Sequence, residues 1–256
     1  TLKYMKKLTL ILGIVVLLSA CKQEMKEGNI IQKQTHTSEN GLMHDQSLWY
    51  FGRISDIKIS PDKSKLLYGV TYYDISENKG NRELYILDLQ TSETTKITKT
   101  AKSEQNAVWR PDGEKIGFLY PTVDGSMQIF EMDIDGSNRK QISYIDGDIN
   151  GFSYSPDMKH IAYHALGINK PTAKDKYPEL EKANARIIDD LMYRHWDHWV
   201  QDYEHIFISE YKDSKISTGE DIMKDELWES PVRPFSGIEQ IAWHPDGKSI
   251  VYTCRK

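Results

Sequence analysis

The chain has 256 residues, is 39% hydrophobic, and carries 33 basic against 38 acidic side chains. That is long and apolar enough to bury a core as one or two domains. A slight acidic excess without a concentrated basic face excludes nucleic acid as the main partner, because phosphate binding needs clustered Lys and Arg.

The amino terminus stands apart from the rest of the chain. Lys6 and Lys7 precede the apolar run Leu8–Ala20, and Cys21 comes directly after it. Such a run is too short to span a bilayer comfortably and has the layout of a secretion signal. Leu18-Ser19-Ala20-Cys21 resembles the bacterial lipobox. That resemblance implies a lipoprotein signal over residues 1–21, lipid attachment at Cys21, and a membrane partner. The expected location is the bacterial cell envelope, on the periplasmic side or at the outer membrane. Several acyl chains on one cysteine make an anchor of this kind stable.

Residues 22–46 are polar, with little periodicity, and read as a flexible tether in which His36 and His44 are solvated. In the folded body, over residues 47–256, Cys254 is the one thiol, so no internal disulfide is expected. It reads as a small buried strand residue.

From here the sequence repeats itself. SPDKSKLLY (Ser60–Tyr68), RPDGEKIGF (Arg110–Phe118), SPDMKHIAY (Ser155–Tyr163) and HPDGKSIVY (His244–Tyr252) share Pro-Asp, a few small or polar residues, then an apolar run ending in an aromatic. Proline presets the first turn position and aspartate bonds back to the local backbone, so each phrase is a hairpin turn. Gly113 and Gly247 supply a left-handed residue where the turn wants one. Strands are expected at Ile54–Ile59 and Leu66–Tyr72, and a second hairpin at Glu83–Leu89 and Thr95–Thr98. Gln128–Ile134 and Lys140–Ser143 repeat that second hairpin.

Each unit is therefore four strands within about forty to fifty residues, the signature of a β-propeller blade. Blades are expected at about 54–98, 105–143 and 149–217, with a fourth beginning near 238. Trp109, Tyr154 and Trp243 stand just before the turn phrase in equivalent strand positions, where they pack between blades. After Tyr163 the next strand is expected only at His205–Tyr211, so the third blade carries an insertion at 164–203, with a helix predicted over Tyr177–Tyr193. The expected fold is all-β: about three and a third propeller blades, an incomplete ring, with a partly helical insertion in the third blade. Unpaired strand edges in such an arc favour aggregation or partial unfolding of the isolated piece.

The insertion holds the densest chemistry, Tyr193-Arg-His-Trp-Asp-His-Trp199. With this block and the later Trp228-Glu-Ser-Pro231, the chain resembles the propeller of the prolyl-oligopeptidase family of serine peptidases, in its dipeptidyl-peptidase V and acylaminoacyl-peptidase branch. In that family the propeller caps a carboxy-terminal α/β-hydrolase domain with a Ser, Asp and His triad, the Ser in a G-x-S-x-G turn. This chain contains no G-x-S-x-G; Gly151-Phe-Ser-Tyr-Ser155 is nearest and lacks the second glycine. No catalytic residue is therefore expected within the chain. The resemblance implies peptide substrates and a hydrolase-domain partner for the full protein, and no cofactor.

Arg194, His195, Trp196, Asp197 and Trp199 are the candidate substrate-docking residues. An acidic group here would hold a free peptide amino terminus by a charge-assisted hydrogen bond. The competing reading pairs Arg194 with Asp197 and uses the tryptophans to anchor the insertion. No metal is expected: His195 and His198 lack the i, i+4 spacing of a zinc helix, and Asp146-Gly-Asp148 reads as an ordinary turn. A sugar-active propeller would need two facing carboxylates, which the sequence does not place. The alternative function is a TolB-like periplasmic propeller lipoprotein acting as a protein-binding scaffold.

Overall fold

The structure, a computed structural model, describes residues 30–34, 41–169, 171–188, 199 and 202–255. Apart from single helical turns at Ser47–Tyr50, Ala173–Lys176 and Ile238–Gln240, the regular elements among the described residues are all strands. The first sheet joins β1 (Arg53–Ile59), β2 (Lys65–Asp74), β3 (Lys79–Asp88) and β4 (Thr94–Lys96) in chain order. The second repeats it with β5 (Gln105–Trp109), β6 (Lys115–Pro121), β7 (Met127–Asp133) and β8 (Lys140–Gln141). The third holds β9 (Ile149–Tyr154), β10 (His160–Asn169), β11 (Asp202–Glu210) and β12 (Glu220–Asp221). β13 (Ile241–Trp243) and β14 (Ile250–Tyr252) are the opening hairpin of a fourth. Every pairing is antiparallel, so these are propeller blades.

The Pro-Asp phrases fold alike. Lys63, Gly113, Met158 and Gly247 each donate a backbone N–H to the residue three positions earlier, at 2.8–2.9 Å. All four adopt positive φ, between 55° and 75°. Glycine is therefore favoured at this site but not required, and a single left-handed residue closes a hairpin of this length. The aspartates do the local bonding: Asp62, Asp112, Asp157 and Asp246 each accept the N–H two residues on, at 2.9–3.1 Å.

Within each of the first three blades an aromatic pair recurs. Tyr68–Tyr85, Phe118–Phe130 and Tyr163–Phe207 are stacked pairs across the second and third strands of successive blades, with ring centroids 5.7, 6.0 and 5.2 Å apart. The pre-turn aromatics lie between blades as expected. Trp109 Nε1 donates to Lys58 O at 3.0 Å, Tyr154 Oη to Glu131 Oε1 at 2.8 Å, and Trp243 Nε1 to Ser153 O at 3.4 Å. Each bond runs from one blade to the blade before it. Three apolar clusters fill the three seams, around Leu67 and Trp109, Phe152 and Ile161, and Ile206 and Ile241.

A polar clasp recurs at the outer hairpin. The Thr98 hydroxyl accepts Leu84 N–H at 2.8 Å and donates to buried Glu83 at 2.8 Å; Ser143 does the same for Ile129 N–H and Gln128. In the third blade His205 stands in the Glu83 and Gln128 position and takes its partners from elsewhere.

Three expectations change. The predicted helix over Tyr177–Tyr193 is not helical at residues 177–188; the remainder lies outside the described residues. Instead a one-turn helix, Ala173–Lys176, starts at a capping box formed by Thr172 and Asp175. Pro178 explains its end, because the residue before a proline is pushed out of the helical region, and Tyr177 sits at φ −134°, ψ 68°. The insertion also starts later than residue 164, because β10 continues to Asn169, which pairs with Asp202. Cys254 is exposed and follows β14 rather than lying buried within a strand.

Candidate functional site

The insertion leaves the third blade at the end of β10 and returns at the start of β11, so these two strand ends form its root. Of the predicted docking residues, Arg194, His195, Trp196 and Asp197 lie outside the described residues, as does Cys21. Trp199 is described and half-buried, and the Arg186 guanidinium sits 5.2 Å from its ring centroid. This cation–π contact joins the outgoing arm of the insertion to the returning one.

Below Trp199, the first residues of β11 are held from several directions. Glu204 accepts Asn150 Nδ2 at 3.1 Å, lies 2.6 Å from His164 Nδ1, and its carbonyl accepts Ser230 N–H at 3.0 Å. His205 is fully buried, with Nδ1 2.8 Å from Asp221 and Nε2 3.0 Å from the Glu226 carbonyl. Asp202 is gripped by Arg233, which donates Nη1–H to Oδ1 at 2.9 Å and Nη2–H to the main-chain oxygen.

Arg233 is itself held by Glu229, the glutamate of the Trp-Glu-Ser-Pro stretch, through Nε–H to Oε2 at 2.7 Å. Glu229 is 1% exposed and also accepts Arg255 on Oε1. Burial works against the charge on Arg233, but Glu229 and Asp202 outweigh it and hold the guanidinium firmly protonated. Each ion of the set, Glu229, Arg233, Arg255 and Asp202, has an opposite charge beside it, which offsets the desolvation that burial imposes on Glu229.

His164 is packed on its other side by Gly151. A Cβ built on Gly151 would lie 2.3 Å from His164 Nε2, so only glycine fits beneath the ring. β9 is irregular here, its pairing with β10 skipping a residue between Gly151 and Ile149. A bulge of this kind turns the Asn150 side chain toward Glu204.

Chemically, the described residues of this root pair with one another and with their neighbours, and so brace the two strand ends from which the insertion leaves and returns. Ser153, His160 and Asp157 do not assemble a triad: Ser153 Oγ is buried with no hydrogen-bond partner among the described residues, Asp157 accepts the Ser155 hydroxyl and Lys159 N–H, and the His160 ring stacks on Trp243. Among the described residues, no group of three or more His, Cys, Asp or Glu could hold a metal ion.

Sequence reasoning found the insertion and the Trp-Glu-Ser-Pro stretch but missed Asn150, His164, Asp202, Glu204 and Arg233. The available signal was the polar start of β11, Asp202-Tyr-Glu-His205, ahead of the apolar Ile206–Ile208.

A family model described as PD40, TolB beta propeller domain, matches residues 52–190. The chain belongs to the PD40 β-propeller family. This PD40 propeller is 44% identical to dipeptidyl-peptidase 5 of Porphyromonas gingivalis over 205 residues, covering 80% of the chain and 30% of that protein. It is 35% identical to dipeptidyl-peptidase 5 of Porphyromonas endodontalis over 231 residues, covering 90% of the chain and 33% of that protein. The chain thus spans about a third of the length of these curated relatives. Among solved structures, acylaminoacyl peptidase in complex with Z-Gly-Gly-Phe-chloromethyl ketone aligns with TM-score 0.56 at 15% identity, over 81% of the PD40 propeller chain and 28% of its own. Pyrococcus horikoshii acylaminoacyl peptidase aligns with TM-score 0.55 at 15% identity, over 78% and 28%. At that identity the structural likeness is one of fold. The resemblance to the propellers of the prolyl-oligopeptidase family stands on these matches together.

Proposed function

We propose that this PD40 propeller is the substrate-docking portion of an envelope serine peptidase of dipeptidyl or acylaminoacyl type. The observation that carries the reading is 44% identity to a dipeptidyl-peptidase 5 across 80% of the chain, insertion included. The root geometry supports it, since a blade that only closes a ring has no use for an insertion braced at Asp202, Glu204 and His205.

In this reading the insertion presents Arg194, His195, Trp196, Asp197 and Trp199 to a short peptide. Asp197 holds a free amino terminus by a charge-assisted hydrogen bond, Arg194 meets an acidic group, and the tryptophans give flat apolar contact. The propeller gates access, so that short peptides pass and folded proteins do not. Bond cleavage belongs to a hydrolase domain elsewhere in the longer protein, where a Ser nucleophile with a His base forms and then releases an acyl-enzyme. Cys21 carries the lipid that fixes the assembly to the envelope.

The test is to express the whole reading frame that contains this chain and assay release of a coumarin amide from dipeptidyl and acylated amino-acid substrates. Turnover abolished by a serine-directed fluorophosphonate is the expected result. A product that turns over neither substrate, yet retains stable envelope proteins in a pull-down, would instead favour the TolB-like scaffold. Labelling with a clickable fatty acid, lost in Cys21→Ser, tests the anchor separately.

A further inference from the structure

Four copies of one turn phrase make each blade a control for the others. In register, Lys58 and Lys63 of the first blade stand where the second has Val108 and Gly113, the third Ser153 and Met158, and the fourth Ala242 and Gly247. Only the first blade carries lysine at both positions. Lys63 takes the left-handed conformation, at φ 62°, which glycine adopts freely and a side chain disfavours. Ile59 likewise stands in place of the aromatic that Trp109, Tyr154 and Trp243 supply.

These departures meet in one place. Lys58, Ile59, Pro61 and Lys63, with Val108 and Trp109 across the first seam, line a cavity of about 390 Å³ at the turn end of the blades. That volume falls in the lower part of the range of small-molecule sites, about 300–1,000 Å³. Ile59, Pro61, Val108 and Trp109 give it apolar walls, and the exposed Lys58 and Lys63 add positive charge. Lys65, Lys96 and Lys115 each pair with a carboxylate; among the described residues Lys58 and Lys63 pair with none. The acid next to them in sequence, Asp62, is taken up by the Ser60 and Ser64 hydroxyls at 2.6 and 2.7 Å.

Two ammonium groups beside apolar walls fit a carboxylate carried on an apolar body. A phosphate is better served by guanidinium forks or clustered backbone N–H groups, and it would leave the walls uncovered. Among the described strands β1 pairs only with β2, so its other edge, ending at Ile59, is free. Apart from the Lys58 oxygen held by Trp109, that edge offers main-chain N–H and C=O groups beside the cavity. A peptide main chain can use such an edge, and a fatty acid cannot. We propose that this cavity binds the carboxy-terminal residue of a short peptide, its carboxylate held by Lys58 and Lys63 and its apolar side chain against Trp109, Val108 and Pro61. The insertion leaves from the opposite end of the blades, between β10 and β11, so this site does not rest on the docking reading above.

The test is calorimetric titration of the whole reading-frame product, blocked with a serine-directed fluorophosphonate so that no bond is cleaved. The probes are acetyl-Leu-Phe as the free acid, its carboxy-terminal amide, and octanoate; the variants are Lys58→Val and Lys63→Gly. Each variant copies the residue that the second blade carries at the same position, and Lys63→Gly also relieves a left-handed side chain, so the melting midpoint should not fall. The free acid is expected to bind wild type at least about tenfold more tightly than the amide, as a charge-assisted contact requires. Each variant should weaken binding of the acid by about tenfold and leave the amide unchanged. Acid and amide bound alike, no binding of the acid to wild type, or both variants binding the acid as wild type does, overturns the proposal. Octanoate bound as tightly as the peptide acid overturns the peptide as occupant. If Lys58→Val melts early, Lys63→Gly decides.

Discussion

Trp109 donates its indole N–H to the carbonyl oxygen of Lys58, 3.0 Å away across the seam between the first two blades. The tryptophan is 9% exposed and packs with Leu67, Leu84 and Ile116 in the same cluster. Trp243 makes the equivalent bond to Ser153 two seams further on. Propeller stacking here thus rests on an apolar ring with one directional bond at its edge. Trp109→Phe should lower stability by about 0.5–1.5 kcal/mol, the net worth of one hydrogen bond. Trp109→Ala should cost about 3–5 kcal/mol by opening a cavity. Urea unfolding followed by circular dichroism measures both, and a Trp109→Phe variant as stable as wild type would show that the bond contributes nothing.

Gly151→Ala places a methyl 2.3 Å from His164 Nε2, and His164 cannot swing clear without breaking its contact with Glu204. Overpacking of this kind costs about 1–3 kcal/mol. Adding His164→Ala should recover part of that loss in a thermal melt, and no recovery would mean that the clash is absorbed elsewhere.

The turn aspartates set an acid limit. Hydrogen bonds from the Ser60 hydroxyl, then from Ser64, hold Asp62 at about 2, below the usual 3.8. Asp157 is lowered chiefly by the Ser155 hydroxyl, and Asp246 by the Lys248 N–H. A depressed carboxylate contributes stability that is present above its unfolded value and lost as pH falls through its folded one. The melting midpoint should therefore hold down to about pH 4 and fall toward pH 2, and Asp62→Asn should flatten part of that descent. An identical acid profile in the variant would show that this turn plays no part in the acid limit.

Glu104 runs the other way. Burial pushes its carboxyl up, against the opposing pull of the Thr100 hydroxyl and Arg139. The sign reverses: the stabilising contribution is present at low pH and is lost as pH rises through the raised value. Glu104→Gln should lose less stability than wild type between about pH 4.5 and pH 7, read as the difference between two melting curves. Parallel curves would contradict it.

The blades were legible because a hairpin turn writes itself locally. Proline, aspartate and a left-handed residue must sit within four positions, and the aromatic before them must face the neighbouring blade. Lys63 and Met158 show the limit of that legibility, since they take the left-handed conformation without being glycine. The insertion root was hidden for the opposite reason. Asp202 meets Arg233, His164 meets Glu204, and Asn150 meets Glu204 across separations of 31, 40 and 54 residues, so no local spacing announces them. The predicted helix is absent over residues 177–188; Pro178 holds Tyr177 out of the helical region, so the turn Ala173–Lys176 does not run on into it. Cys254 was placed in a strand by its apolar neighbours, but the pairing of β13 with β14 ends at Tyr252.

In the proposed function, the propeller docks the charged end of a peptide through its insertion. Steady-state kinetics of the whole reading-frame product with a dipeptidyl coumarin amide, comparing wild type with Asp197→Asn and Trp199→Ala, measures this most directly. Docking through the insertion predicts KM raised by about tenfold or more with kcat within about twofold, as befits loss of a charge-assisted or aromatic contact made before the chemical step. Unchanged KM in both variants, with full turnover, would contradict it.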